Sequence, residues 1–235
     1  MKVFFKEVSV EVRDNKYVVM LDGKITKTPE QSVCLMPTLE MAEAIAKEWK
    51  DQEEVIDPNS MPLTKLLNTS VDRVEKRRDD LIEELVKFAG ADQVCYRADY
   101  PPELVELQNK VWNPLMKTME EDYGVDLRVV TGVVFAEQDQ KALLKIRKLI
   151  EKVESFRLMA LYTMITVTGS VTVGFNLFKG HIELNEAWDA GQLDENFQIS
   201  QWGSDEEAEQ RRRNLKSELE NAFRFLQLCV PQKTS

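Results

Sequence analysis

One histidine, His181, is all that the 235 residues contain, and that scarcity removes whole reaction classes. Two-histidine metal centres, including HExxH, cannot be built. His181 directly follows Lys179-Gly180 and so is expected in a loop, where a histidine is more often solvated than catalytic. Cysteine is nearly as sparse. Cys34, Cys95 and Cys229 are odd in number and far apart, with no Cys-x-x-Cys, which argues against a disulfide framework or a zinc ribbon and fits a reducing compartment. There is no G-x-S-x-G elbow and no G-x-G-x-x-G. TGSVTVGFN carries two glycines, but Phe175-Asn176 stands where a phosphate loop needs Lys-Ser/Thr. In an apolar helix those glycines read as permitting close packing. A long apolar run is missing too: Leu158 to Phe178 is interrupted by Gly169, Ser170, Gly174 and several threonines, which predicts a core element and not a membrane span. MKVFFKEVSVEV has neither an apolar signal core nor an arginine-rich transit pattern. Asn68-Thr69-Ser70 matches the glycosylation triplet, a chance match in a chain read as not secreted.

A basic excess is likewise absent. With 41 acidic against 31 basic residues the formal net charge is −10, which argues against a nucleic-acid surface. The acidic balance suits a basic or an apolar protein partner and selects neither. Adjacent acids such as Asp79-Asp80, Glu83-Glu84 and Glu120-Glu121 fall on expected helices and read as solvated faces. Carboxylates with Arg or Lys in a cleft between two domains would be the alternative, a small-molecule enzyme, marked by strongly shifted acids in a deep pocket.

What is present is an ordinary globular composition, 43% apolar and 31% charged, with a change of texture near residues 57–62. Val8, Val10 and Val12 alternate with polar neighbours, and Tyr17 to Leu21 is a second β-favouring run. Asp22-Gly23 predicts a tight hairpin returning as Lys24 to Thr28, and Ser32 to Met36 a further short strand. TLEMAEAIAKEWKDQ then puts Leu39, Ala42, Ile45, Ala46 and Trp49 on one helical stripe, with Thr38 as cap. After the punctuated IDPNSMPL, where Ser60 would cap and Pro62 would start the next helix, helical patterns follow one another. Pro114 should kink or break one of them, Leu127 to Val134 is short and β-rich, and PQKTS is a polar tail. The expected fold is α+β: a small antiparallel β-rich N-terminal domain over residues 1–60 with one covering helix, and a larger all-helical domain over 61–235.

QWGSDEEAEQRRRNL opens the last expected helix, Asp205 to about Leu228, with an apolar stripe of Ala208, Leu215, Leu219, Ala222 and Leu226. Ser204 and Glu207 have capping-box spacing, Asp205 complements the helix dipole, and Glu207 and Glu209 each precede an arginine by four. Glu206 has no basic partner at helical spacing and points away from the stripe. Two readings stand: a dipole-favouring surface acid, or a contact for a partner. Trp202 could be a packing anchor or an interface aromatic.

Taken in order, FFKEVSVEV…VMLDGKITKTP, EEVIDP, MPLTKLLNTSVDRV, VTGVVFA and LDENFQISQWGSDEEAE resemble the ATP12 family of ATP synthase assembly chaperones, from Phe4 to about Leu228. The resemblance implies a non-enzymatic protein, without catalytic residues, cofactor or metal. Such a protein binds the free alpha subunit of the catalytic head until beta covers the same surface. It also implies the β-rich then helical arrangement, and it places the family's W-G-x-x-E element on Trp202, Gly203 and Glu206, with Asp205 beside them as a partner-binding residue. Mitochondrial members tend to carry a histidine shortly after that glutamate, where this chain has Glu209. A monomer in a bacterial cytoplasm is expected, or in a mitochondrial matrix if the host is a eukaryote and a transit peptide was removed.

Overall fold

The computed structural model describes residues 1–74, 76–132 and 134–231; Val133 of the β-rich stretch, and the polar tail beyond Pro231, lie outside the described residues. At the N-terminus β1 (Val8–Arg13), β2 (Lys16–Leu21) and β3 (Lys24–Ile25) form an antiparallel sheet in that order, with Val8 opposite Leu21 and Met20 opposite Ile25. Both turns are two residues long and left-handed: Asp14 and Asn15 at φ 50° and 58°, Asp22 and Gly23 at 46° and 73°. Paired positive φ matches the twist of the strands, which is why Asp-Asn and Asp-Gly stand there. The return strand is shorter than expected, and Ser32 to Met36 makes only two isolated bridges, Lys27 to Val33 and Tyr17 to Met36.

Helix α1 (Leu39–Lys50) begins at Thr38, whose side chain accepts the Met41 amide at 3.1 Å, and packs on β1 and β2. Its buried row is Met41, Ala42, Ile45 and Ala46. Leu39 is 41% exposed instead of buried, because it lies about a quarter turn from the centre of that row. Helix α2 (Pro62–Thr69) is not capped by Ser60, which ends a 3-10 turn. Its free amides are taken by α1: Glu48 accepts from Leu63 N and Thr64 N at 2.8 Å each and from the Thr64 hydroxyl at 2.7 Å. A carboxylate at a helix N-terminus satisfies orphan amides and meets the positive end of the dipole. A π-helical turn, Ser70–Val74, follows and brings buried Asp72 to the Thr28 hydroxyl at 2.6 Å.

The remaining chain is helical: α3 (Arg78–Gly90), α4 (Pro102–Tyr123), α5 (Gln140–Glu151), α6 (Ser155–Thr168), α7 (Val171–Lys179), α8 (Leu184–Gly191), α9 (Leu193–Trp202) and α10 (Glu206–Leu228). Between them β4 (Tyr96–Arg97) and β5 (Val130–Thr131) pair in parallel. Pro114 does not break α4, which runs on to a left-handed Gly124. Trp112, Leu115 and Met119, all buried around that proline, hold the helix through it. The apolar stretch is two helices, parted by Gly169 at φ 65° and restarted by Ser170, whose hydroxyl accepts the Val173 amide at 3.0 Å. Gly174 does serve close packing: a Cβ there would lie 2.7 Å from Ile165 Cγ1 and 2.9 Å from its backbone nitrogen.

Two compact units result. One comprises 1–78, 154–160 and 221–235, so the last turns of α10 belong with the β sheet; the Thr38 hydroxyl donates to Leu228 O at 2.5 Å, and the Phe156 and Phe225 rings meet edge-on. The other comprises 79–153 and 161–220. Within it Gln93 Nε2 donates to Thr168 O at 2.7 Å and to Gly191 O at 2.9 Å, and Trp112 Nε1 donates to Ala190 O at 2.8 Å. These bonds tie the ends of α6 and α8 to the core and so set where α9 starts.

Candidate functional site

The residues singled out in the sequence come together at the elbow between α9 and α10. Helix α9 ends because Gly203 takes φ 77° and ψ −176°, backbone that favours glycine, with its amide bonded to Ile199 O at 2.8 Å. Helix α10 does not start on Ser204. The Ser204 hydroxyl donates to Glu209 Oε1 at 2.6 Å, and the cap is Asp205, whose Oδ1 accepts the Ala208 amide at 2.8 Å. The expected Ser204/Glu207 capping box is therefore not formed and the cap moves one residue on, with Ala208 in the third position unable to bond back: a carboxylate is the stronger acceptor at the positive end of the dipole. Glu206 becomes the first helical residue, exposed, with no hydrogen bond or ion pair among the described residues. Glu209 and Arg213 pair at 3.7 Å as their spacing predicts.

Trp202 is no packing anchor: it is 80% exposed, more than any other large apolar side chain among the described residues. It borders an open hollow of about 530 Å³ with Ile199, Gly203, Asp205 and Ala208. Glu206 borders an adjacent hollow with Asp205, Glu207 and Gln210, so Asp205, itself bonded to the Ala208 amide, lies between the Trp202 side and the Glu206 side of the elbow.

Arg212 holds this elbow. Its guanidinium lies over the Trp188 ring at 5.5 Å, pairs with Glu195 at 3.1 Å and donates to Asn196 Oδ1 at 2.5 Å, joining α10 to α8 and α9. The sequence carries a signal for it: Arg212 is four residues after Ala208 and three before Leu215, so the apolar stripe runs through a charged residue, and a charge on a buried face needs a partner.

Groups that would suit chemistry are engaged elsewhere. Asp92 is fully buried; burial pushes its carboxyl up, opposed by hydrogen bonds from Ser170, Thr172 and the Val94 amide. Its Oδ2 accepts the Thr172 amide at 2.9 Å and the Thr172 hydroxyl at 3.0 Å, so it closes the N-terminus of α7 as Glu48 closes α2. Buried Arg97 lies over Trp112 at 5.0 Å and donates to Val94 O and Gln108 O. His181, after the Gly180 cap of α7, sits 2.8 Å from the Tyr123 hydroxyl and 3.6 Å from Asp122. Glu83 pairs with Arg147, Glu84 accepts the Tyr162 hydroxyl, and Glu121 pairs with Lys117. Among the described residues no group of three His, Cys, Asp or Glu could hold a metal ion, and no helix is long and apolar enough to cross a membrane.

The family model described as ATP12 chaperone protein matches residues 2–120. Protein atp12, mitochondrial, of Schizosaccharomyces pombe is 25% identical over 240 residues, covering 97% of this chain and 82% of its own length. The crystal structure of Atp12 from Paracoccus denitrificans superposes with a TM-score of 0.93 at 34% identity, covering 97% of this chain and 98% of that one. The Atu1473 protein of Agrobacterium tumefaciens superposes with a TM-score of 0.90 at 31% identity, over 97% and 85%.

Proposed function

Because the chain belongs to the ATP12 family of ATP synthase assembly chaperones, we propose that it binds the free alpha subunit of the F-type enzyme and shields its subunit interface until beta replaces it. The observation that carries this reading to a surface is the elbow: an indole left 80% in water and, four residues on, Glu206, a carboxylate that no described residue engages. An unpaired subunit exposes an apolar face prone to aggregation. A binder lowers the free concentration of that face by mass action, and so needs no nucleotide and no bond made or broken. Moderate affinity is required, since the true partner must displace it.

The elbow suits that task. An exposed tryptophan contributes contact area, and carboxylates at its rim select for basic neighbours and steer encounter. The family model covers 2–120 only; the elbow is reached by the likeness to the solved structures, which spans 97% of the chain. No catalytic residue, cofactor or metal enters this reading, and the site of action is the compartment where the catalytic head assembles, a bacterial cytoplasm or a mitochondrial matrix.

The test is co-expression with the cognate alpha subunit, followed by capture through a tag on the chaperone. Wild type should raise soluble alpha and co-purify with it; Trp202→Ala and Glu206→Lys should each reduce the captured alpha at least several-fold while melting as wild type does. Absence of a wild-type complex would remove the reading.

A further inference from the structure

The sheet-bearing unit has a second hollow, of about 320 Å³, far from the elbow in sequence. Its apolar wall is Phe4, Phe5, Leu21 and Trp49, with Ile25 of β3 beside them. Phe5 stands edge-on to both Phe4 and Trp49, at 5.6 and 5.7 Å between ring centroids, so the aromatic wall is preformed. Phe4 nevertheless remains 62% exposed. The rim is basic: Lys24 and Lys27 line it, and among the described residues neither is in an ion pair. The acid on this rim, Asp22, is committed to the turn; its Oδ1 accepts the amides of Lys6 and Glu7 at 2.9 and 2.8 Å, which hold its carboxyl below the usual range. In a chain of net charge −10 this is a local reversal of sign.

Lysines on a strand edge often serve only to keep other strands away. That role explains Lys24 and Lys27 but leaves the exposed Phe4 and the open aromatic wall unaccounted for. The size suits one large apolar side chain, and the charge selects what flanks it. We propose that this hollow is a second client contact, taking an apolar side chain of the alpha subunit that is followed by one or more carboxylates. It rests on the function proposed above, and it divides the client between two chemically opposite contacts, an acidic elbow and a basic-rimmed aromatic hollow.

Two arms test it separately from that function. In the first, the full-length protein is titrated with the probe peptide acetyl-Gly-Leu-Phe-Glu-Glu-Gly-amide and with a counterpart carrying Lys-Lys in place of Glu-Glu, while backbone amide and indole signals are followed by NMR. Saturable shifts confined to Phe4–Glu7, Asp22–Thr28 and the Trp49 indole are expected. The acidic probe should bind at least ten-fold more tightly, and the preference should reverse in Lys24→Glu/Lys27→Glu. No saturable shift at millimolar peptide, or equal response to both probes, overturns the proposal. In the second arm, Lys24→Glu/Lys27→Glu and Phe4→Ser should each lower capture of co-expressed alpha at least several-fold with an unchanged melting profile; undiminished capture overturns it. If wild type captures no alpha, the proposed function fails, and the peptide arm alone judges the hollow's chemistry. Sedimentation of the protein alone completes the test: a dimer that these substitutions dissolve would make the occupant a second copy, and the proposal would fall.

Discussion

At the scale of single residues, the elbow separates two neighbouring acids that look alike in sequence. Asp205 is bonded into the helix it starts; Glu206, one residue on, is bonded to nothing among the described residues. Asp205→Ala should therefore cost about 1 kcal/mol of stability, the usual worth of a cap, and Asp205→Asn much less. Glu206→Ala should change stability by no more than about 0.5 kcal/mol, as at other exposed positions, yet weaken capture of alpha. Urea unfolding of the three variants beside the capture assay checks this. If Glu206→Ala unfolds as readily as Asp205→Ala, Glu206 is structural and the elbow loses its partner-facing acid. Helical spacing had already isolated Glu206 as the acid without an internal counterpart, because that inference needs only 100° per residue. Which of Ser204 and Asp205 caps the helix was not legible, since both are good caps and the choice turns on a side-chain contact, Ser204 to Glu209, five residues away. Arg212 shows the converse: its position on the apolar stripe could be read, but its partners Trp188, Glu195 and Asn196 come from other helices and could not.

Among the secondary-structure elements, a recurring device is the helix capped by a carboxylate from elsewhere. Glu48 on α1 closes α2, and Asp92, before a 3-10 turn, closes α7. Patterning finds helices and local caps but not these, because the donor and acceptor are 15 and 80 residues apart. Glu48→Ala strips the amides of Leu63 and Thr64 of their acceptor and should destabilise by roughly 1–3 kcal/mol, the cost of part-buried donors left unpaired. Glu48→Gln should recover part of that, since one oxygen remains. Asp92 carries a pH signature of opposite sense to most acids. Its folded carboxyl is pushed above its unfolded value, so its contribution to stability is complete below the unfolded value and is lost as pH rises through the folded one. Wild type should accordingly gain on Asp92→Asn as pH is lowered from 7 towards 4, measured as the difference between their unfolding free energies. A difference that is flat, or that moves the other way, would mean the hydrogen bonds outweigh burial. Gly174 marks the limit of what composition tells: a glycine in an apolar helix suggests close packing, but only the 2.7 Å approach to Ile165 shows that no side chain fits.

Across the whole molecule, the two ends of the chain share one unit. Cys34 follows the hairpins, Cys229 directly follows the last helix, and both lie in the unit that gathers 1–78, 154–160 and 221–235, whereas Cys95 lies in the other. Burial raises all three thiols to about 12. At pH 8 that leaves roughly one thiolate in ten thousand, so the native protein should react with a disulfide reagent only through unfolding. The three cysteines, which in the sequence exclude a disulfide framework and little else, become separate reporters of the two units. Cys34 and Cys229 should gain reactivity with the same free energy as urea is raised, because the Thr38–Leu228 bond and the Phe156–Phe225 contact join the turns that bury them. Mass-spectrometric counting of label at each site, across a urea series too mild for global unfolding, measures this directly. Should Cys229 become reactive at lower urea than Cys34, the last turns of α10 fray independently, and the β sheet does not depend on them for its protection.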